Sequence, residues 1–164
     1  MSEHFSLAAP LSDRDSWTPA QWCTMERALD LVGTRSAMTL LREAFYGATR
    51  FDELARRAGT TPAVTSQRLR TLVDDGLLER RPYQEPGRRH RDEYVLTPLG
   101  MDVFPIIAAL SRLGEQLPST ATKSVTLTHA GCGSPVAAEV RCAEGHVVTP
   151  GDVVVSMSTS PPHS

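Results

Sequence analysis

Residues 49–76 read TRFDELARRAGTTPAVTSQRLRTLVDDG, and the fold follows from the spacing of the apolar residues in this segment. These residues recur at helical intervals on both sides of a Gly-Thr-Thr-Pro turn, so the pattern predicts two short helices, the first over residues 51–58. Thr49 and Asp52 have the spacing of a capping box for that helix. The second helix is expected over residues 62–75, because proline suits a first helical turn and a glycine follows. Two short helices joined by a tight turn indicate a helix-turn-helix.

The segments around this motif predict a winged version of it. Before the motif, a Thr18-Pro19 start and apolar residues at helical spacing indicate a helix that ends at Val32, and a second helix is indicated over residues 35–46. After it, residues 77–83 and 91–96 have the pattern of two strands, and the Gln-Glu-Pro-Gly-Arg-Arg segment between them has turn chemistry. We therefore expect a β-hairpin that forms the wing.

A last helix is predicted from the Thr97-Pro98 start to about Leu117, and Pro105 is expected to kink it. The element order is then helix, helix, helix-turn-helix, hairpin, helix. The predicted fold class is mainly α with a small β wing (α+β), a winged helix-turn-helix followed by a small β-type C-terminal appendage.

Composition divides the chain into four parts. Residues 1–16 are polar and unpatterned, and we expect them to be flexible. Residues 17–118 form the winged helix-turn-helix DNA-binding and dimerisation domain. Beyond a Ser/Thr-rich linker, Val-rich runs broken by glycine and proline predict the β appendage over residues 125–155, and residues 156–164 are expected to be disordered.

The bulk composition limits the class of protein. The chain has 164 residues, of which 40% are hydrophobic and 22% charged, as in a soluble globular protein. Its apolar runs are too short to cross a bilayer, and its beginning lacks the pattern of a secretory signal. Three cysteines do not suggest the disulfide scaffold of a secreted protein. We therefore expect a cytoplasmic protein without membrane contact, and the absence of any nucleophile, phosphate-loop or His-Glu-x-x-His motif argues against an enzyme.

The second helix of the motif has one side suited to nucleic acid. Its inward stripe contains Thr65, Leu69 and Leu72, which must pack on the body of the domain. The opposite side carries side chains that can reach base edges and phosphates in a major groove. With the helix start and the flank included, the candidate DNA-binding residues here are Thr61, Ser66, Gln67, Arg68 and Arg70. Arg68, on the flank, could serve a phosphate or a partner within the fold.

The wing supplies a second group of cations. Arg88, Arg89 and Arg91 lie in or beside the hairpin loop, where long cationic side chains can contact phosphates or enter a minor groove. The net charge of the chain is only −2 and does not by itself indicate nucleic-acid binding. The clustering of arginines in one part of the chain does, because it can create a local phosphate-binding surface. Ordinary solvated charge is the alternative, and the position of a polar helix between a tight turn and a basic hairpin favours DNA.

Several segments together resemble the HxlR-type regulators, which are relatives of the MarR group. The segments that carry the resemblance are residues 23–33, 40–43, 50–54, 66–70, 75–80 and 94–100. The resemblance covers about residues 22–117 and implies homodimers on palindromic operators that control nearby genes, often in response to aldehyde, quinone or thiol stress. Thr65 stands where such proteins often have an apolar residue, which predicts looser packing of the recognition helix.

The last predicted helix is apolar on two sides. One stripe contains Leu99, Val103, Ile106, Leu110, Leu113 and Leu117. Another contains Met101, Phe104 and Ala108. The rest of the winged-helix domain cannot easily cover both stripes, so a second chain or the C-terminal appendage must cover one stripe. We favour the second chain.

Cys23 matches a cysteine that senses thiol-reactive compounds in some HxlR-type members. A sensor needs a stabilised and reachable thiolate, and the neighbouring Glu26 and Arg27 carry opposite charges, so the sequence around Cys23 gives no clear sign of one. A small buried apolar side chain is the favoured interpretation.

The C-terminal segment contains His129-x2-Cys132 and, after nine residues, Cys142-x3-His146. Four such ligands suit tetrahedral zinc, and a module of this size has little core of its own. An appendage without metal and a disulfide between the two cysteines are the alternatives, the disulfide being disfavoured in a reducing compartment.

These features predict a sequence-specific DNA-binding transcription regulator, a homodimer on a palindromic operator and a stress- or ligand-responsive repressor. Its expected partners are double-stranded DNA, a second copy and a small-molecule or thiol-reactive effector. No cofactor is certain, and structural zinc is the one candidate. The alternative is a protein-interaction adaptor that uses the winged helix without specific DNA binding.

Overall fold

The computed structural model describes residues 3–15, 23–83 and 91–158. The chain divides into two compact units. One comprises Thr24–Ala138, and the other is formed by the residues before Thr24 together with those after Ala138. Within the described residues, no helix is both long and apolar enough to span a bilayer.

The helices of the first unit follow the predicted order. They are α1 Thr24–Val32, α2 Arg35–Phe45, α3 Phe51–Ala58 and α4 Pro62–Asp74. Helices α3 and α4 meet at the turn around Gly59, whose φ of +66° is readily adopted only by glycine. The helix-turn-helix is therefore confirmed.

The predicted capping box at the start of α3 is wrong. Arg50 occupies the N-cap position and makes no side-chain cap hydrogen bond. The Thr49 hydroxyl instead donates to Glu93 Oε1 at 3.4 Å. The backbone N–H of Tyr94 donates to the Thr49 carbonyl at 2.8 Å, and Arg50 and Glu93 form an isolated antiparallel bridge, so the residues before α3 are tied to the wing.

The wing consists of β2 Leu78–Tyr83 and β3 Arg91–Leu96, paired antiparallel from Leu78↔Leu96 to Tyr83↔Arg91. The hairpin is therefore confirmed. The loop predicted to carry Arg88 and Arg89 lies outside the described residues, as do the Thr18-Pro19 start of the first predicted helix and residues 159–164 of the predicted tail.

The predicted last helix is two helices. Helix α5 spans Pro98–Met101 and α6 spans Phe104–Gln116. Pro105 lies in the first turn of α6, where a missing N–H costs no hydrogen bond, so the expected kink inside a helix does not arise.

One apolar core joins α1 and α2, the helix-turn-helix, the wing and α6. Its buried members are Val32, Leu40, Leu41, Ala48, Leu54, Leu69, Leu72, Leu77, Leu78, Val103 and Ile107. The rings of Phe45 in α2 and Phe104 in α6 lie at its edge, 6.1 Å apart between centroids. The core fixes α4 to the body by the leucines that the periodicity assigned to its inward stripe.

A tight joint connects the end of α4 to the beginning of α5. The Thr97 hydroxyl donates to the Gly76 carbonyl at 2.5 Å, and the Thr97 N–H donates to the Leu77 carbonyl at 3.1 Å. The same hydroxyl accepts from the Gly100 N–H at 3.0 Å and caps α5. Gly100 is buried against this joint, and a Cβ at that position would overlap the Leu77 carbonyl oxygen.

The second unit contains a short parallel pairing of β1 Ser6–Leu7 with β4 Val154–Val155, the latter preceded by a 3-10 turn at Pro150–Asp152. Leu11 is buried in this unit. The polar N-terminal sequence did not predict this pairing, because two residues are too few to show an alternating pattern.

Candidate nucleic-acid interface

Helix α4 presents a polar surface opposite its buried side. Ser66, Gln67 and Arg70 are exposed, whereas Leu69 and Leu72 are buried. Within the described part of the chain, the side chains of Gln67 and Arg70 make no hydrogen bond or ion pair. A carboxamide and a guanidinium without partners can form bidentate hydrogen bonds with adenine and guanine, respectively.

Arg68 lies on the flank of α4 and is half-buried. Its Nε donates to the hydroxyl oxygen of Ser36 in α2 at 3.3 Å. The structure therefore gives Arg68 a partner within the fold, and we assign it to holding α4 against α2.

Thr61 and Thr65 organise the turn before α4. The Thr61 hydroxyl accepts from the Val64 N–H at 3.3 Å and caps the helix. Thr65 is 0% exposed, and its hydroxyl donates to the Thr61 carbonyl at 2.9 Å and lies 2.7 Å from the Thr60 hydroxyl. A buried hydroxyl with two hydrogen-bond partners is not a packing defect, so the structure gives no sign of the looser packing predicted for Thr65.

Ion pairs within the wing reduce the charge available for a ligand. Arg80 pairs with Asp92, and this hydrogen bond raises the pKa of the Arg80 guanidinium. Arg81 Nε donates to Glu79 Oε1 at 2.8 Å. Arg91 is exposed.

A groove of about 840 Å³ runs between α3 and β3. Arg56 and Arg91 line it, and Phe51 and Tyr94 are among its apolar residues. Arg57, next to Arg56, forms an ion pair with Glu53 at 2.5 Å. Arg56 is not among the site residues predicted from the sequence, because only the fold brings it opposite the wing strand β3.

Helices α1 and α6 both expose apolar side chains, and we use the name α1/α6 face for Met25 and Leu29 of α1 together with Ile106, Leu110, Leu113 and Leu117 at α6. Leu113 is 54% exposed and Met25 66%. The predicted stripes need correction, because Val103 and Ala108 from different stripes are both buried. The break between α5 and α6 changes the phase of the helix, which the uninterrupted periodicity could not show.

The three cysteines are all free thiols in the structure, and Cys23 is half-buried. The Ser134 hydroxyl and N–H hydrogen-bond the Cys132 sulfur and lower the pKa of this exposed thiol. His129 Nδ1 lies 3.3 Å from Cys132 Sγ, and Cys142 Sγ lies 3.5 Å from His146 Nδ1. In the described part of the chain, no group of three or more His, Cys, Asp or Glu side chains is placed to hold a metal.

Sequence comparison finds relatives along most of the chain. The family model for HxlR-like helix-turn-helix proteins matches residues 31–121. An uncharacterised HTH-type transcriptional regulator of Mycobacterium tuberculosis is 40% identical over 129 residues, which are 77% of this chain and 80% of the relative. The HTH-type transcriptional regulator YtfH of Escherichia coli, also uncharacterised, is 34% identical over 93 residues. These residues make up 56% of this chain and 72% of YtfH.

Solved structures share the fold. The crystal structure of PA1607, described as a transcription factor, aligns with a TM-score of 0.74 and 31% identity, covering 84% of this chain and 96% of its own. The redox regulator HypR in its oxidised form aligns with a TM-score of 0.54 and 28% identity, covering 60% of this chain and 100% of its own.

Proposed function

The chain belongs to the HxlR-like helix-turn-helix family, and on that premise we propose that it acts as a homodimeric repressor on a palindromic operator. It is a transcription regulator with a helix-turn-helix DNA-binding fold, and its family and relatives are regulators rather than enzymes. The observation that carries the proposal is the exposed side of α4, where Ser66, Gln67 and Arg70 are free of partners within the described residues.

The proposed dimer rests on the α1/α6 face. Six large apolar side chains are exposed there, on two helices of the same unit. The four at α6 recur at intervals of three or four residues and so share one side of the helix, and exposed apolar stripes of this kind mark interaction sites in soluble proteins. A second copy covers the face by a two-fold arrangement, which also presents two α4 helices to a palindromic site.

A cytoplasmic location and a small-molecule or thiol-reactive effector complete the proposal. HypR, one of the structural neighbours, is a redox regulator. Cys23 is the candidate for the corresponding role here, and its half-buried position is compatible with either a sensor or a packing residue.

A first experiment separates this function from that of an adaptor without specific DNA binding. Genomic fragments captured by the purified protein are sequenced, and the enriched site is tested by electrophoretic mobility shift at several salt concentrations. We expect a palindromic site whose binding weakens as salt rises. Capture without any enriched sequence would favour the adaptor.

Gln67→Ala and Arg70→Ala are each expected to relax the preference for particular operator positions. Removing a bidentate hydrogen-bonded pair with a base costs about 1–3 kcal/mol, a factor of roughly 5 to 150 in affinity. Each variant is measured against the operator and a scrambled duplex, with Arg112→Ala, an exposed arginine of α6, as the control. Equal weakening on both duplexes would show that these residues touch only phosphate.

Replacing Arg88 and Arg89 with alanine is expected to weaken binding to any duplex by similar factors. The slope of log affinity against log salt should flatten by about 0.9 for each phosphate in a half-site that the protein no longer neutralises. Arg81→Ala is the control, because Arg81 is already paired with Glu79 in the same hairpin. An unchanged slope with full affinity would mean that the wing does not touch DNA.

A further inference from the structure

Helix α4 contains two valines, and they lie in different environments. Val73, near the end of the helix, is half-buried and packs against the apolar core. Val64, in the first turn, is 38% exposed and is not among the described residues that form this core or pack against it. An apolar side chain therefore borders the outward surface of the recognition helix.

The start of the helix fixes the position of Val64. Its backbone N–H donates to the Thr61 hydroxyl at 3.3 Å, and this hydrogen bond caps α4. Valine is β-branched, and one χ1 rotamer is strongly preferred for it inside a helix. We therefore expect the two methyl groups of Val64 to keep one orientation before any ligand binds.

Neither helix formation nor core packing explains a valine at position 64. An exposed helical position is better suited to alanine or to a long polar residue, because valine loses side-chain entropy in a helix. When a recognition helix enters a major groove, its N-terminal residues are the ones that meet the base edges. Contact with DNA would bury Val64 and so remove its apolar surface from water.

Gln67 lies beside Val64 on the surface of the helix. Residues three apart on a helix have Cβ atoms about 5–6 Å apart. Gln67 is exposed, and its carboxamide suits adenine. Thymine, the partner of adenine, is the base that presents a methyl group in the major groove, and an apolar side chain suits that group. The two neighbouring residues together therefore match a step that contains A·T pairs.

We propose that Val64 recognises a thymine of the operator by apolar contact with its C5-methyl group, within two base pairs of the adenine that Gln67 recognises. The limit of two follows from the Cβ separation of the two residues, because successive base pairs are about 3.4 Å apart. This inference rests on the proposed function, since it requires α4 to lie in the major groove of an operator. It makes Val64 a specificity-determining residue beside the polar ones.

Deoxyuridine lacks the C5-methyl group of thymidine and so tests the contact. Each thymine of the operator found by genomic enrichment is replaced in turn by uracil, and the affinity of the wild-type protein is measured. We expect one position in each half-site where the replacement lowers the affinity about 4-fold, the factor that corresponds to about 0.8 kcal/mol for one buried methyl or methylene group. Val64→Ala should lower the affinity for the thymine operator by a comparable factor and abolish the difference between thymine and uracil at that position.

Val125→Ala, which replaces an exposed valine outside α4, is the matched control and should retain the difference. Alanine forms helices better than valine, so Val64→Ala should keep its fold, and circular dichroism checks this. The inference would be wrong if uracil had no effect at any position, if its effect were equal in wild type and Val64→Ala, or if the sensitive thymine lay farther than two base pairs from the position that Gln67→Ala relaxes. In these three cases specific binding remains, whereas a wild-type protein that prefers no operator would contradict the proposed function and this inference with it.

Discussion

Replacing Leu110 and Leu113 with glutamate is expected to produce a monomer and to lower operator affinity by about 10²–10⁴-fold. Both side chains belong to the α1/α6 face and are about half exposed, so two charges there oppose burial against a second copy without entering the core. A monomer binds only one half-site and forgoes the gain that comes from linking two binding events.

Light scattering and titration of the operator measure the two effects separately. Val125→Glu is the matched control, because Val125 is an exposed apolar residue outside this face. Circular dichroism should show that the double variant keeps its helices. If the variant remains dimeric with wild-type affinity, the α1/α6 face is not the dimer interface.

Gly100→Ala is expected to destabilise the first unit by about 1–3 kcal/mol or more, since overpacking a buried site forces backbone shifts. The added Cβ would overlap the Leu77 carbonyl oxygen and lie 3.1 Å from Leu96 Cδ2. The carbonyl belongs to the joint between α4 and α5, so it cannot move without disturbing the Thr97 hydrogen bonds.

Gly114→Ala provides the control. Gly114 lies in α6 with no atom within 4 Å of an added Cβ, so alanine should be neutral or stabilise the protein by up to about 1 kcal/mol. Urea unfolding of both variants measures the difference. Equal free energies of unfolding would show that the packing around Gly100 can relax.

Most of the fold could be predicted from local sequence signals. Glycine and proline in the Gly-Thr-Thr-Pro turn predict where α4 begins, and the residue pattern at 91–96 predicts a strand. The structure confirms both predictions. The same holds for α4, where one buried stripe determines which side chains face outward. Whether those side chains read DNA remains a prediction that the experiments above test.

The features that the sequence did not predict depend on contacts between distant residues. The Thr49 hydroxyl hydrogen-bonds Glu93, 44 residues away, instead of forming the local capping box. For Arg68 the sequence left a phosphate and a partner within the fold as alternatives, and it could not identify Ser36, 32 residues away, as that partner. Pro105 was expected to kink a helix because the break before it, between α5 and α6, has no strong signal of its own.

The Thr97 joint has a consequence for how such a regulator can be controlled. Thr97 hydrogen-bonds the carbonyls of Gly76 and Leu77, which directly follow the recognition helix, so we expect that helix, the wing and the start of α5 to move as one DNA-reading unit. In the proposed homodimer, a signal at the subunit interface would then change the distance and phase between the two DNA-reading units, while the bases that each of them recognises stay the same. Each subunit would recognise the sequence of its half-site, and the dimer would set the spacing between the two half-sites. A regulatory signal would then change which spacing is preferred and leave the recognised sequence unchanged.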